Sequence, residues 1–467
     1  MVVEQLYTKC LSEAAYFIAS EGEAAVIDPL RDVDEYIKKA EELGVKIKYI
    51  FETHFHADFV SGHLELSKRT GAPIIYGPST ETKFDVHVAA DGEEFTVGKL
   101  KIKVLHTPGH TLESSCYLLY NEEGKPHCIF TGDTLFVGDV GRPDLFSGNM
   151  SKEELAGMMY ESLNSKIKGL PDDVVVYPAH GPGSSCGKNL GAETFSTIGE
   201  QKGTNYALQD MTKEEFVKAV TEGLSTPPAY FPVNAQINKE GYETMDKLMA
   251  TSMTPLTVTE LKEKMNNDVW LLDTRPATEF TQSFIPGAIS IGLEGRFAEW
   301  AGSLLPFTQP MVLVTEPGKE EESVIRLARV GFENVQGYLE GGIDAWINAG
   351  EDIDMIIDIE PDELAMDIPH DDRLEVLDVR KESEYDAGHV QGATNAPLDS
   401  LKDIFNIALI STENNLYVHC AGGYRSVIAA SLLKRQGYHN LRNVLGGFSK
   451  MKDQKGLKIV TTEKESA

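Results

Sequence analysis

The chain has 467 residues, 41% apolar and 25% charged, the balance of a globular protein, and at roughly 150 residues per domain its length predicts about three domains. Its 43 Lys and Arg against 73 Asp and Glu leave a net charge of −30, which repels a phosphate backbone and excludes nucleic acid as an expected partner. Five unevenly spaced cysteines argue against a disulfide framework; with no basic-then-apolar leader and no run of roughly 18 apolar residues, a cytoplasmic protein without a membrane partner is expected.

The first 190 residues alternate short apolar runs, AAVIDPL (24–30), VKIKYIFETH (45–54), KIKVLHTPGH (101–110) and VVVYPAHG (174–181), with polar helical stretches, an α/β layered pattern. Between them Val33, Tyr36, Ile37, Ala40 and Leu43 share a helical face, with Asp32 expected as the cap and Gly44 as the stop. Two breaks in composition follow. STPPAYFPVN (225–234) carries three prolines and predicts an extended connector, and residues 351–372, rich in acids without Lys or Arg, predict a solvated linker.

Between the first break and the C-terminus the chain repeats itself. Leu272, Asp273, Thr274, Arg275, Glu279 and Phe280 recur 105 positions later as Leu377, Asp378, Val379, Arg380, Glu384 and Tyr385, and Gly341 and Gly342 recur as Gly446 and Gly447. Two copies of this length predict a duplicated domain of about a hundred residues rather than a solenoid.

Polar clusters terminate the apolar runs of the first region: His54, His56, Asp58 and His63 after Phe51, then HTPGH with His106 and His110, FTGD with Asp133, and YPAH with His180. Loops held at strand ends can converge on one ion. These residues resemble the metallo-β-lactamase superfamily, whose first motif reads His-x-His-x-Asp-His. The chain departs from it at Phe59, where the superfamily's dinuclear hydrolases, hydroxyacylglutathione hydrolases among them, carry a histidine ligand of a second metal. A phenyl ring cannot coordinate, so a second site is expected to be empty or weak.

The likeness to the mononuclear iron branch, the persulfide dioxygenases, implies one Fe(II) per chain on His54, His110 and Asp133. A two-histidine, one-carboxylate face leaves positions open for O2 and substrate. His56, Asp58 and His180 then become neighbours of the metal or of the substrate pocket. GDVGRPDL (138–145) also resembles that branch, implying that Arg142 positions substrate and Asp144 orients neighbouring groups. Cys186, in the loop GPGSSCGKNLG, is a candidate sulfur relay, while Cys10, Cys116 and Cys128 read as packing thiols.

In the second repeat copy the strand LYVH (416–419) ends at Cys420, followed by Ala421, Gly422, Gly423, Tyr424, Arg425 and Ser426 and then a helical run. A glycine-containing turn and a helix N-terminus favour thiolate over thiol, and Arg425 offers planar donors to an oxyanion. The segment resembles the active loop of rhodanese sulfurtransferases, implying Cys420 as nucleophile, Arg425 as its cation, and Asp378 and Arg380 as loop braces. In the first copy Thr315 stands at the nucleophile position and the loop reads EPGKEE, so that copy is expected to be silent, a spacer or oligomer contact.

Together these resemblances imply an αββα metallo-β-lactamase domain with its connector (1–250), a silent rhodanese-like domain (256–350) and an active one (356–467). The fusion implies a thiol persulfide, O2 and sulfite as small-molecule reactants, in a homo-oligomer. The rival expectation is a zinc thioester hydrolase of the hydroxyacylglutathione type with an accessory sulfurtransferase.

Overall fold

The apolar runs of the first region become two sheets in a computed structural model that describes residues 1–145 and 150–462. The first six-stranded sheet takes its strands in chain order, from Val2–Thr8 through Glu13–Ser20, Glu23–Ile27, Lys46–Phe51 and Ile74–Tyr76 to His87–Val88. The second does the same, from Glu94–Val97 through Leu100–His106, Ser115–Tyr120, Pro126–Gly132 and Val175–Pro178 to Ser196–Thr197. Their inner faces share one core in which Tyr16, Phe51 and Ile75 of the first sheet meet Phe95, Tyr117 and Phe130 of the second. The Phe51 and Tyr117 rings lie 4.8 Å apart, as do Tyr16 and Phe130. Each such ring contributes roughly 1.5–3 kcal/mol by leaving water.

Helices cover the outer faces. Tyr36, Ala40 and Leu66 pack on Phe17 and Val26, and Met159 and Leu163 pack on Leu118, Ile129 and Val176, completing the αββα order expected from the sequence. The first helix runs Asp34–Leu43 and ends at Gly44, φ 63°, whose N–H reaches the carbonyls of Ala40 and Glu41. Its N-cap is Val33 rather than Asp32, with no side-chain cap; Asp34 and Glu35 in the first turn complement the helix dipole instead.

Contacts divide the chain into two units, Met1–Lys247 with Ala328–Gly331, and Leu248–Leu327 with Phe332–Ala467. The proline-rich connector is extended only in part: Phe231–Glu240 is a helix, with Pro232 in its first turn, where a missing N–H leaves nothing unpaired. The acidic segment is no bare linker either. Ile357–Ile359 is an edge strand parallel to Leu441–Val444, and Pro361–Asp367 is a helix. The alternation of acids with Ile356, Ile359 and Leu364, all buried, is what net charge concealed.

Both repeat copies fold into five-stranded parallel sheets of the same order. In the first it is Pro255–Leu256, Val335–Leu339, Met311–Val314, Trp270–Asp273 and Ile289–Ser290; in the second, Ile357–Ile359, Leu441–Val444, Asn415–His419, Leu374–Asp378 and Thr394–Asn395. The fourth strand in each order ends in the same brace. Arg275 Nη2 donates to Asp273 (2.6 Å) and to the Ser283 carbonyl (2.9 Å), and Arg380 Nη2 donates to Asp378 (2.5 Å) and to the Gly388 carbonyl (2.7 Å). Trp346, expected to pack, is buried with Nε1 on the Asp352 carbonyl.

Both acids of these braces are fully buried, so removing the arginine strands a charge. Arg380→Ala and Arg275→Ala of the first copy are each expected to cost about 3–5 kcal/mol, read from the urea transition of the full chain by circular dichroism. A cost under about 1 kcal/mol would mean the brace is dispensable.

Candidate metal centre and sulfur-transfer loop

Loops following the strands that end at Phe51, His106 and Gly132 bring His54, His110 and Asp133 together, with one ligand atom from each inside a 4.8 Å span, all buried. Asp133 Oδ2 lies 3.4 Å from His110 Nε2 and 3.8 Å from His54 Nε2. The outer nitrogen of each imidazole is already committed. His110 Nδ1 sits 2.8 Å from the Arg142 carbonyl, which can only accept, so Nε2 is left without a proton. Thr53 Oγ1 donates to Asp28 Oδ2 (2.8 Å) and therefore accepts from His54 Nδ1 (2.9 Å), again freeing Nε2. Burial, and then the nearby His56, His110 and His180, hold the His54 pKa well below the usual imidazole range, so it is neutral.

Both oxygens of Asp133 are buried without a hydrogen-bond partner. A buried carboxylate facing two unprotonated nitrogens is a costly arrangement that a divalent cation compensates. The donor set thus fits a metal.

His180 Nδ1 lies 3.1 Å from the Ser12 carbonyl, and its Nε2 is 3.4 Å from both Asp58 Oδ2 and Asp133 Oδ1. Burial lowers the His180 pKa, but Asp58 and Asp133 outweigh it and the net direction is upward. His56, Asp58 and His180 form a second buried trio with donor atoms inside 4.8 Å. His56 also turns Nε2 to Asp28 Oδ1 (3.1 Å) and Glu52 Oε2 (3.5 Å), and the buried Phe59 ring lies 4.3 Å from the His56 ring.

The Arg142 guanidinium, expected to meet substrate, is buried and bound by Nε and Nη2 to both oxygens of Asp144 (2.7 and 2.9 Å). What Arg142 gives the centre directly is its carbonyl. Gly141 lets that loop approach: a Cβ there would stand 2.1 Å from the Asp133 carbonyl oxygen and 2.9 Å from His110 Nδ1. Cys186 lies with Asp133 and His180 inside a 4.8 Å span, and burial, then Asp58 and Asp133, push its thiol well up. Cys116 is pushed up to about 11 and Cys128 further, both by burial, as packing thiols should be, while Cys10 is half-buried in a turn.

Sequence reasoning missed the outer ring of the site. Asp28 also accepts from Thr53 N (2.7 Å) and holds φ at +50°, a strained value for a non-glycine that the polar ending of the run AAVIDPL hints at. Asn238, fully buried, donates to the carbonyls of His56 and Phe59 (2.8 Å each) and accepts from Ser61 N (2.9 Å), locking the loop that carries His56 and Asp58. No local signal marks it.

In the second unit the strand Asn415–His419 delivers Cys420, and Gly423, φ +115°, turns its N–H onto Cys420 Sγ (3.1 Å). The helix Tyr424–Arg435 begins there. Arg425 is held by both oxygens of Glu384 (2.7 and 2.9 Å), and that pairing keeps the Glu384 carboxyl below its usual range. Ser426 Oγ donates to Asn443 (2.7 Å), and Tyr424 Oη donates to the Gly292 carbonyl of the other copy (2.8 Å). Arg380 keeps to Asp378, Gly388 and the Phe448 ring, 3.8 Å from its Cζ, as a brace would. Thr315 lies buried at the equivalent strand end of the first copy.

Thr53→Val removes the acceptor that sets the His54 tautomer and is expected to weaken divalent-metal affinity about tenfold, measured by competition with a chelator. Unchanged affinity would mean His54 is oriented by packing alone.

The Metallo-beta-lactamase superfamily model matches residues 8–180, and the Rhodanese-like domain model matches residues 257–349 and 360–454. A probable hydroxyacylglutathione hydrolase of Schizosaccharomyces pombe is 36% identical over 172 residues, 36% of this chain and 62% of the yeast protein's own length. Among solved structures, a metallo-beta-lactamase from Staphylococcus aureus subsp. aureus COL is 33% identical, with a TM-score of 0.64 over 73% of this chain and 98% of that one. ETHE1 from Myxococcus xanthus is 32% identical over 51% of this chain and 100% of that one, with a TM-score of 0.43. The chain therefore belongs to the metallo-β-lactamase superfamily, with two rhodanese-like domains following its lactamase-type domain.

Proposed function

We propose that residues 1–250 oxidise a low-molecular-weight thiol persulfide with dioxygen to sulfite, and that the rhodanese domain of residues 356–467 joins sulfane sulfur to sulfite as thiosulfate, a pairing suited to sulfide and persulfide detoxification. The observation that carries the reading is the convergence of His54, His110 and Asp133 on one point, while Phe59, against the His56 ring, offers no ligand atom. Such a face suits iron(II), one per chain, which when bound supplies open coordination positions and redox capacity.

The first reaction balances as RSSH + O2 + H2O giving RSH, sulfite and two protons. Thr53 and the Arg142 carbonyl hold the two imidazoles in register for it. His180 Nε2, between Asp58 and Asp133, is placed to hold one of the protons released. At the second centre Cys420 takes a sulfane sulfur from a persulfide, the free thiol leaves, and sulfite attacks the outer sulfur, releasing thiosulfate and the Cys420 thiolate. The Gly423 amide supports the sulfur throughout.

Cys186 as a relay requires its raised thiol to lose a proton, so Cys186→Ser with unaltered turnover and product ratio would remove that role. A second reading, zinc-dependent thioester hydrolysis, is favoured by the name of the yeast relative and by the buried His56, Asp58 and His180 trio. It gains nothing from a sulfurtransferase partner.

Metal analysis with oxygen uptake on glutathione persulfide, run beside lactoylglutathione hydrolysis, separates the two. About one iron per chain and persulfide-dependent uptake are expected. Cys420→Ser should keep sulfite production and lose thiosulfate. Zinc with thioester cleavage and no uptake would instead establish the hydrolase.

A further inference from the structure

We propose that Asp28, Glu52 and His56 form a further cation site, apart from the His54, His110 and Asp133 centre, that takes a zinc-class divalent ion and clamps the loop between them. It depends on neither of the two reactions proposed above.

The site follows from strand pairing. Glu23–Ile27 and Lys46–Phe51 run parallel with Ile27 opposite Phe51, so the residues that leave them, Asp28 and Glu52, emerge side by side. Asp28 N donates to the Phe51 carbonyl (2.9 Å) and keeps the two strand ends in step. The loop leaving Glu52 then brings His56 back onto both acids. All three side chains are buried, and one donor atom from each lies within 4.8 Å of the others.

His56 Nε2 stands 3.1 Å from Asp28 Oδ1 and 3.5 Å from Glu52 Oε2, yet it makes a hydrogen bond with neither, and Glu52 Oε2 has no hydrogen-bond partner. A buried nitrogen close to two carboxylate oxygens and aligned with neither is how ligands stand around an ion that lies between them. Bonds of about 2.0–2.1 Å to a shared ion place neighbouring donors roughly 3.0–3.4 Å apart, between right and tetrahedral angles. The two separations here lie close to that range. Mixed imidazole and carboxylate donors suit zinc, where magnesium and calcium take oxygens. The remaining oxygens are already engaged: Asp28 Oδ2 accepts from Thr53 Oγ1 (2.8 Å), and Glu52 Oε1 accepts from Ser61 Oγ.

Two carboxylates out of water need positive charge beside them. His63, whose Nδ1 is 3.6 Å from Glu52 Oε1, does not supply it, since burial and then His56 hold its pKa down to about 3. Burial and then Asp28 push the Glu52 carboxyl well up, a direction that a bound cation reverses. An ion here ties two strand ends to the loop that Asn238 holds at the carbonyls of His56 and Phe59.

Equilibrium dialysis of the full-length protein, stripped with a chelator and returned to Zn2+, counts the sites. The unsubstituted chain is expected to hold about two zinc ions, Glu52→Gln and His110→Ala about one each, and the two substitutions together none. Asp58→Asn, in the trio with His56 and His180, is expected to keep about two. Zinc should also raise the thermal midpoint of His110→Ala and leave that of the double variant unmoved. A single zinc that His110→Ala abolishes, or a second zinc that survives Glu52→Gln, would overturn the proposal; in the latter case its loss with Asp58→Asn would assign it to the His56, Asp58 and His180 trio. Should Glu52→Gln fail to fold, His110→Ala combined with Asp58→Asn decides: about one zinc supports the site and none overturns it.

Discussion

A carboxylate buried without a hydrogen bond is costly to any fold, and Asp133, like Glu13, is such a group in the first domain. Its surroundings are arranged to make a cation its only good partner: two imidazoles present bare nitrogens, and their other nitrogens are tied to Thr53 and the Arg142 backbone. The tie continues outward to Asp28, which fixes Thr53 at both its amide and its hydroxyl. Orientation of His54 therefore depends on a strained residue at the end of the neighbouring strand, which is not itself among the three candidate ligands. The packed aromatic core between the two sheets supplies the rigidity that lets such strain persist.

In the second unit, chemistry and architecture have separated. Both copies keep the five-strand order, the buried arginine–aspartate brace and the glycine pair after the last long strand, yet only one keeps a cysteine on a glycine turn. The brace holds the ends of strands, which any domain of this shape needs, whereas the cysteine loop adds nothing to the architecture. Tyr424 ties the active-loop segment to the other copy, since its hydroxyl is anchored on the Gly292 carbonyl.

What could be read from the sequence followed how local each signal is. His54, His110 and Asp133 each end a strand-like run, so their convergence was legible before any coordinates, as was Cys420 at the turn from strand to helix. Asn238 was not legible, because its partners lie about 180 residues away and an asparagine in a polar helix carries no mark. Pro232 misled because a proline in the first turn of a helix and a proline in a connector look alike without the turn itself. The acidic stretch misled for the opposite reason: charge dominated its composition while three apolar residues decided its structure. Arg142 was placed in the right loop, but a guanidinium can turn either way, and Asp144 two residues on decides which.

The glycine behind each strand end has one more consequence. Gly447, φ +53°, would place a Cβ 2.3 Å from the Cys420 carbonyl, and Gly342, φ +59°, would place one 2.9 Å from the Thr315 carbonyl. The first copy thus holds the same backbone path that seats Cys420 in the second. Thr315→Cys would bring a sulfur atom to that path but not the amide turn or the guanidinium around it, and the thiol would be an ordinary buried one. Matching the second copy would need several residues of EPGKEE to change together. A nucleophile at this position thus calls for a whole loop and not for one residue, whereas the fold around it calls only for the brace and the glycine pair.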